Sequence, residues 1–188
     1  MGPSLSSLAG ARYILTFIDE FTRYSVVFSL KNKDETSAHW RTFRTHAERH
    51  HNLKIKEIRS DNGGEYLPLR NELFADGIVV SPTHPYSSQQ NGIAERFNRT
   101  IMDQTRSVIH DSRAPFKLWG EISAAINFLR VRTPSSTLNY ETPYQRWFGT
   151  KADISTLRVL WSEAYMHIPK RGRAHKKLSA RAAGPYRL

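Results

Sequence analysis

Two runs of β-branched and aromatic residues stand near the start of the chain, Tyr13 to Ile18 and Tyr24 to Leu30. Between them lies the polar link Asp19-Glu20-Phe21-Thr22-Arg23. The pattern predicts a β-hairpin. The small and polar stretch Met1 to Gly10 before it reads as a loop. Asp34 or Thr36 then opens a helix whose apolar positions Trp40, Phe43 and Ala47 share one face, running out near His50-His51. A strand is predicted over Leu53 to Ser60, ending at the turn Asp61-Asn62-Gly63-Gly64. A short helix over Pro68 to Ala75 and a brief strand at Ile78-Val79-Val80 follow. The segment Ser81 to Gly92 is a Pro-, Ser- and Gln-rich loop. A long helix starts near Ile93, with Phe97, Ile101, Met102 and Val108 as its buried stripe. Pro115 suits the first turn of another helix carrying Trp119, Ile122, Ile126 and Leu129, which Thr133-Pro134 ends. This order predicts a mixed α/β domain.

Composition changes that picture at one end and in one respect. From Lys151 onward Lys or Arg occupies nine positions against only Asp153 and Glu163, so the chain divides into a core over 1–150 and a basic extension over 151–188. Two short strands fit between Arg158 and Ile168, followed by a basic tail. The formal charge of +11 and the pI near 10.1 point to a polyanionic partner, nucleic acid before membrane. There is no Cys, which excludes disulfides and argues against a zinc finger. No apolar run reaches the roughly 18 residues of a membrane helix. Met1-Gly2-Pro3-Ser4 lacks the layout of a signal peptide, and a soluble intracellular protein is expected.

Two carboxylates have unusual surroundings. Asp61 ends a predicted strand at a glycine turn, a common place for an active site in α/β sheets, although Asp also forms such turns unaided. Glu95 lies in the first turn of the long helix, where the macrodipole alone favours an acid. Its neighbours are Arg96, Arg99, Arg106 and the loop's Gln89, Gln90 and Asn91, and one helical face carries Glu95, Arg99 and Arg106 together. A carboxylate ringed by cations makes sense where metal ions and phosphates share the site. Phosphoryl transfer on a DNA backbone needs an activated nucleophile and a stabilised leaving oxygen, which two divalent cations roughly 3.5–4 Å apart provide. Mg²⁺ and Mn²⁺ take hard oxygen ligands, hence Asp and Glu.

Several stretches together resemble a known family. They are Ile58-Arg59-Ser60-Asp61-Asn62-Gly63-Gly64-Glu65-Tyr66, the run Pro85-Tyr86-Ser87-Ser88-Gln89-Gln90-Asn91-Gly92-Ile93-Ala94-Glu95-Arg96-Phe97-Asn98-Arg99-Thr100, and the hairpin from Tyr13 to Tyr24. Leu118-Trp119-Gly120-Glu121 and Thr142-Pro143-Tyr144-Gln145-Arg146-Trp147-Phe148-Gly149 match as well. The chain resembles the integrase catalytic core of copia-type LTR retrotransposons. The resemblance implies a ribonuclease-H-like mixed sheet flanked by helices and a DDE site that inserts element DNA into a genome with Mg²⁺ or Mn²⁺. By motif Asp61 is the second carboxylate and Glu95 the third, both metal ligands. Asn62, Tyr86, Gln90, Asn91, Arg96, Arg99 and Arg106 are the expected nucleic-acid contacts. Expected partners are DNA, with RNA as a further candidate, and other copies of the chain. The expected location is the nucleus, after a cytoplasmic particle stage.

Three departures accompany the match. The family's first Asp sits a few residues before a Gly-Pro pair. That pair is Gly2-Pro3 here, so the first strand and its Asp lie upstream of Met1, and residues 1–188 alone are expected to be inactive. Asp61 and Glu95 are separated by 33 residues, Asn62 to Ala94, slightly fewer than the family pattern. Ser88 stands where Pro is common. Asp19, in the hairpin turn, reads as a turn former rather than a substitute ligand. The alternative function is a non-catalytic nucleic-acid-binding or assembly module; a ribonuclease-H-type nuclease is a third reading. His39, His46, His50 and His51 read as exposed helix residues rather than metal ligands.

Overall fold

The computed structural model describes residues 5–60, 67–82, 92–172 and 180–187. They fall into two compact units, Met1–Ala152 and Asp153–Leu188.

The first unit opens with the expected hairpin. Strands β1 (Tyr13–Ile18) and β2 (Ser25–Leu30) pair antiparallel, with Tyr13 opposite Leu30 and Ile18 opposite Ser25. Asp19 closes the turn: its Oδ2 accepts from the Thr22 backbone N–H at 2.7 Å and from the Thr22 hydroxyl at 2.6 Å. Helix α1 (Thr36–His51) follows one turn of 3₁₀ helix that Asn32 and Glu35 cap reciprocally. It buries Trp40 and Ala47, and Phe43 stacks on Phe17 of β1 at 4.9 Å between ring centroids.

Strand β3 (Glu57–Ser60) pairs parallel with β4 (Val79–Pro82), and helix α2 (Leu67–Ala75) makes the crossover between them. The strand predicted from Leu53 therefore starts four residues late. The Ile55 N–H donates to the Glu48 carboxylate at 3.0 Å instead of to a neighbouring strand, and Leu53 is 70% exposed. A core of Trp40, Leu69, Leu73 and Ile78, flanked by Phe17, Phe43, Ile55, Ile58 and Val80, joins these elements to the hairpin.

Helix α3 (Gly92–Ser112) buries Phe97, Ile101, Thr105 and Ile109, each four residues from the last. The predicted stripe ended on Val108, which is only half-buried. A four-residue step drifts slowly around a helix of 3.6 residues per turn and selects Thr105 and Ile109. Helix α4 (Trp119–Arg130) packs on α3 and on β2. Two buried polar pairs lie within this packing. The Thr105 and Ser123 hydroxyls are 3.0 Å apart. Asn127 accepts from the Ser25 hydroxyl at 2.6 Å and donates to the Ser25 carbonyl at 2.9 Å. Leu129 of the predicted stripe is half-buried, and Asn127 takes the fully buried place. The loop before β1 is tied down as well, since the Trp119 indole N–H donates to the Leu5 carbonyl at 2.9 Å.

Helix α5 (Pro143–Phe148) was not anticipated from sequence, although its signals are there. The Thr142 hydroxyl accepts from the Gln145 N–H, Pro143 occupies the first turn, and Gly149 closes the helix at φ +72°. In the second unit, β5 (Glu163–His167) pairs antiparallel with β6 (Ala182–Arg187). Only one of the two strands expected between Arg158 and Ile168 forms, because Trp161 at φ +67° turns the chain there. Its partner comes from the stretch read as a basic tail.

The Asn127 amide bonds β2 to α4 with both of its polar atoms in a buried position. Asn127→Ala should cost about 2–3 kcal/mol in urea unfolding, since it leaves Ser25 polar groups unpaired. Asn98→Ala removes the exposed hydrogen bond to Thr16 and should cost less than about 0.5 kcal/mol.

Candidate functional site

Successive side chains of a strand point to opposite faces of its sheet. Thr16 and Ile18 of β1 face one way and Phe17 the other, yet all three line a single cavity of about 530 Å³. Glu57, Ile58 and Arg59 of β3 line it too. The cavity therefore borders both faces of β1 as well as β3. Trp40, Phe43, Ala47, Glu48 and His51 of α1 form one wall; Ile93 and Ala94, at the start of α3, stand on another. Further along the same strand and helix, a second cavity of about 360 Å³ is lined by Ile14, Glu95, Asn98, Arg99, Ile101 and Met102.

This arrangement brings the end of β3 and the first turn of α3 to one cavity. Glu95 is exposed on that turn and makes no ion pair or hydrogen bond among the described residues. An exposed carboxylate without a cationic partner is a chemically suitable ligand for a hard divalent cation. Asp61 follows directly on β3 but lies outside the described residues, as do Asn62, Tyr86, Gln90 and Asn91. Among the described residues no group of three or more His, Cys, Asp or Glu is placed to hold a metal.

The three expected arginines differ. Arg99 lines the second cavity with Glu95. The Arg96 guanidinium lies back over Gly92, where an added Cβ would meet it at 3.2 Å. Arg106 is exposed and paired with Asp103 at 3.0 Å, a neutralising partner that the sequence reading overlooked although three-residue spacing on a helix brings such pairs together. The sequence reading also passed over Arg130. Its guanidinium lies over the Phe97 ring at 5.4 Å, and burial lowers its pKa. The histidines of α1 make aromatic contacts: His39 packs on Phe28, and His50 and His51 on Phe148 and Trp147.

Charge at the cavity mouth is locally paired. Arg59 donates to both Glu20 oxygens, at 3.0 and 3.2 Å, and to Glu57 at 3.3 Å. Hydrogen bonds from Ser81 and then Arg59 lower the Glu57 carboxyl pKa.

Comparisons with known proteins point the same way. A model described as the integrase core domain matches residues 5–88. Residues 5–88 are thus similar to the integrase core domain family. Over 175 residues the chain is 37% identical to the retrovirus-related Pol polyprotein from transposon TNT 1-94 of Nicotiana tabacum, covering 92% of this chain and 13% of that protein. It is 31% identical over 154 residues to the corresponding polyprotein from transposon RE1 of Arabidopsis thaliana, covering 82% and 10%. The chain thus spans about an eighth or less of these relatives. A chain of a simian T-cell lymphotropic virus intasome, solved in complex with PP2A regulatory subunit B56 gamma, aligns over 93% of this chain and 61% of its own length. The TM-score is 0.56 at 16% identity. That likeness concerns the fold, which is the ribonuclease-H-like α/β fold of integrase cores.

Glu48 holds the approach to β3, accepting from Lys54 at 2.9 Å, from the Ile55 N–H and from Arg44 at 3.3 Å. The Lys54 ammonium, then the Ile55 N–H and Arg44, hold its carboxyl at a pKa of about 2 against 4.5 for a free Glu. A folded-state pKa below the unfolded one stabilises above the unfolded value, and the gain is lost as pH falls. Glu48→Gln should therefore cost about 1–2 kcal/mol at pH 7, after discounting for the exposed Lys54 partner. In urea titrations the gap between variant and parent should close progressively between about pH 4.5 and pH 2.

Proposed function

We propose that this domain serves DNA integration, with Asp61 and Glu95 sharing divalent cations where the end of β3 and the first turn of α3 approach each other. The observation that carries the reading is the convergence of the β3 end and the first α3 turn on one cavity. Asp61 continues the first of these and Glu95 lies on the second. Bound Mg²⁺ or Mn²⁺ would activate the attacking oxygen and stabilise the leaving one. The protein's part is to hold two hard carboxylates at fixed ends of regular elements, with Arg99 one helical turn from Glu95 to receive a phosphate. The excess of positive charge concentrates DNA on this surface in a salt-dependent way. The domain would act on element ends and target DNA, as further copies assemble on them. Its place of action would be the nucleus, after a cytoplasmic particle stage.

Two-metal chemistry also needs the carboxylate that the family carries on its first strand. Residues 1–188 alone should therefore give no strand transfer with Mg²⁺; robust metal-dependent end joining by that polypeptide overturns this part of the reading. The metal site is tested by DNA affinity. Mn²⁺ should tighten binding of a labelled duplex roughly tenfold, a coupling of ordinary size between two linked sites. Asp61→Asn and Glu95→Gln should each abolish the gain while leaving metal-free binding unchanged or improved. A gain that survives in both variants leaves a plain nucleic-acid-binding module.

The cations on α3 should separate by their partners. Arg99→Ala should lower the slope of log affinity against log salt by about 1, as expected for one lost phosphate contact. Arg106→Ala should change it by less than half as much, because Asp103 already offsets that charge. Equal losses from the two variants would contradict the assigned geometry.

A further inference from the structure

Helix α4 runs out into two arginines that both rest on aromatic rings. Arg130 lies over Phe97 of α3. Arg132, just past the helix, lies on Phe128 of the last turn, its guanidinium carbon 3.5 Å from the ring centroid. A separation this short stacks guanidinium and ring face to face. The Tyr144 ring, in the first turn of α5, is 4.7 Å from the same carbon. The Tyr144 N–H donates to the Val131 carbonyl at 2.7 Å and fixes α5 beside the end of α4. Tyr24, stacked on Trp147 at 4.8 Å, stands within electrostatic reach. Burial raises the Tyr24 phenol pKa and the Arg132 charge opposes that rise, so the phenol keeps its proton at neutral pH.

Arg132 is far from saturated where it stands. A guanidinium carries five N–H donors. Among the described residues Arg132 makes one hydrogen bond, from Nη1 to the Phe128 carbonyl at 2.9 Å, and no ion pair. Its Nε is buried without an acceptor among those residues. The acid nearest in sequence, Glu141, is held by Arg146 at 2.7 Å. A half-buried guanidinium without a carboxylate suits an anion supplied from outside, and a phosphate matches its fork of donors. Phe128 stays 46% exposed even with Arg132 lying on it.

We propose that Arg132 and Phe128 form a site for one nucleotide of a single-stranded nucleic acid, its phosphate on the guanidinium and its base on the ring. The proposal rests on the nucleic-acid part of the reading above and on nothing in its metal site. Base and phosphate of one nucleotide are joined through a sugar, so an adjoining ring and cation can hold both. Bases within a duplex offer no free face, whereas an unpaired base stacks on an exposed ring whatever its identity. An acidic peptide would satisfy the guanidinium but leave the ring in water. The net charge of +11 favours the strand as a whole.

The probes are a labelled oligothymidylate of about ten nucleotides, within the usual range for such sites, and an abasic strand of equal length and charge. The chain should bind the oligothymidylate about tenfold tighter than the abasic strand, as expected for one stacked base. Phe128→Ala should bring the two strands level without weakening the abasic one, and Phe128→Tyr should restore the difference. Arg132→Gln should weaken both and lower the slope of log affinity against log salt by about 0.7, the value for one phosphate contact on a single strand. The unaltered chain gives a second measurement that needs no variant to fold. Bromodeoxyuridine in place of thymidine should cross-link under ultraviolet light to the tryptic peptide 118–130, which contains Phe128. Equal affinity of the parent for the two strands overturns the proposal, as does the absence of any cross-link in 118–130. Stronger displacement by polyglutamate than by unlabelled oligothymidylate also overturns it and assigns the site to an acidic peptide. The Mn²⁺ gain on duplex DNA should persist in Phe128→Ala, so failure of this site and failure of the metal reading show separately.

Discussion

The contact of Phe17 with Trp40 and Phe43 is the constraint on which the first unit depends. The hairpin and the β3–β4 pair share no ladder among the described residues, so side-chain packing must fix their separation. Phe17 reaches from β1 to α1, stacking on Phe43 at 4.9 Å and tilting against Trp40 at 5.8 Å. Trp40 in turn packs with Leu69, Leu73 and Ile78, the inner faces of α2 and the lead into β4. Large rings suit this task because each buries much area while keeping few internal freedoms. Dispersion and burial therefore carry the link between the two strand pairs.

The sequence made the elements legible wherever a period or a cap was local. The hairpin follows from two β-branched runs and an Asp-initiated turn, and its bounds agree with the strands to a residue. Helix α1 follows from the spacing of Trp40, Phe43 and Ala47. Legibility failed where a distant group competed for the backbone. Nothing in Leu53-Lys54-Ile55 announces that Glu48 takes the Ile55 N–H and delays β3. Likewise nothing near Ala182 announces that it pairs with Glu163–His167, since antiparallel pairing across a long connection is a tertiary property. Helix α5 is a different case. Thr142, Pro143 and Gly149 mark its ends, and the short span between them hid the period.

On α3 the same rule applies. Glu95 and Arg99 are one turn apart on a helix whose buried stripe is clear, so their shared face could be read directly. That Ile93 and Ala94, at the start of the same helix, share a cavity with β3 could not, because it depends on α3 crossing β1. Thr16 and Asn98 mark that crossing with a hydrogen bond of 3.1 Å. Arg130 escaped notice for a related reason: a cation on a predicted apolar helix looks like solvent-facing decoration until Phe97, on another helix, is found beneath it.

Unpaired strand edges invite association with wrong partners, and proteins commonly blunt them with charge. Strand β3 carries Glu57 and Arg59, with Lys56 just before it, and Arg59 is linked to Glu20 of the hairpin turn. That bridge is exposed, so it contributes little stability. It sets a charged rim around an apolar interior, a combination that disfavours edge-to-edge pairing with a second copy.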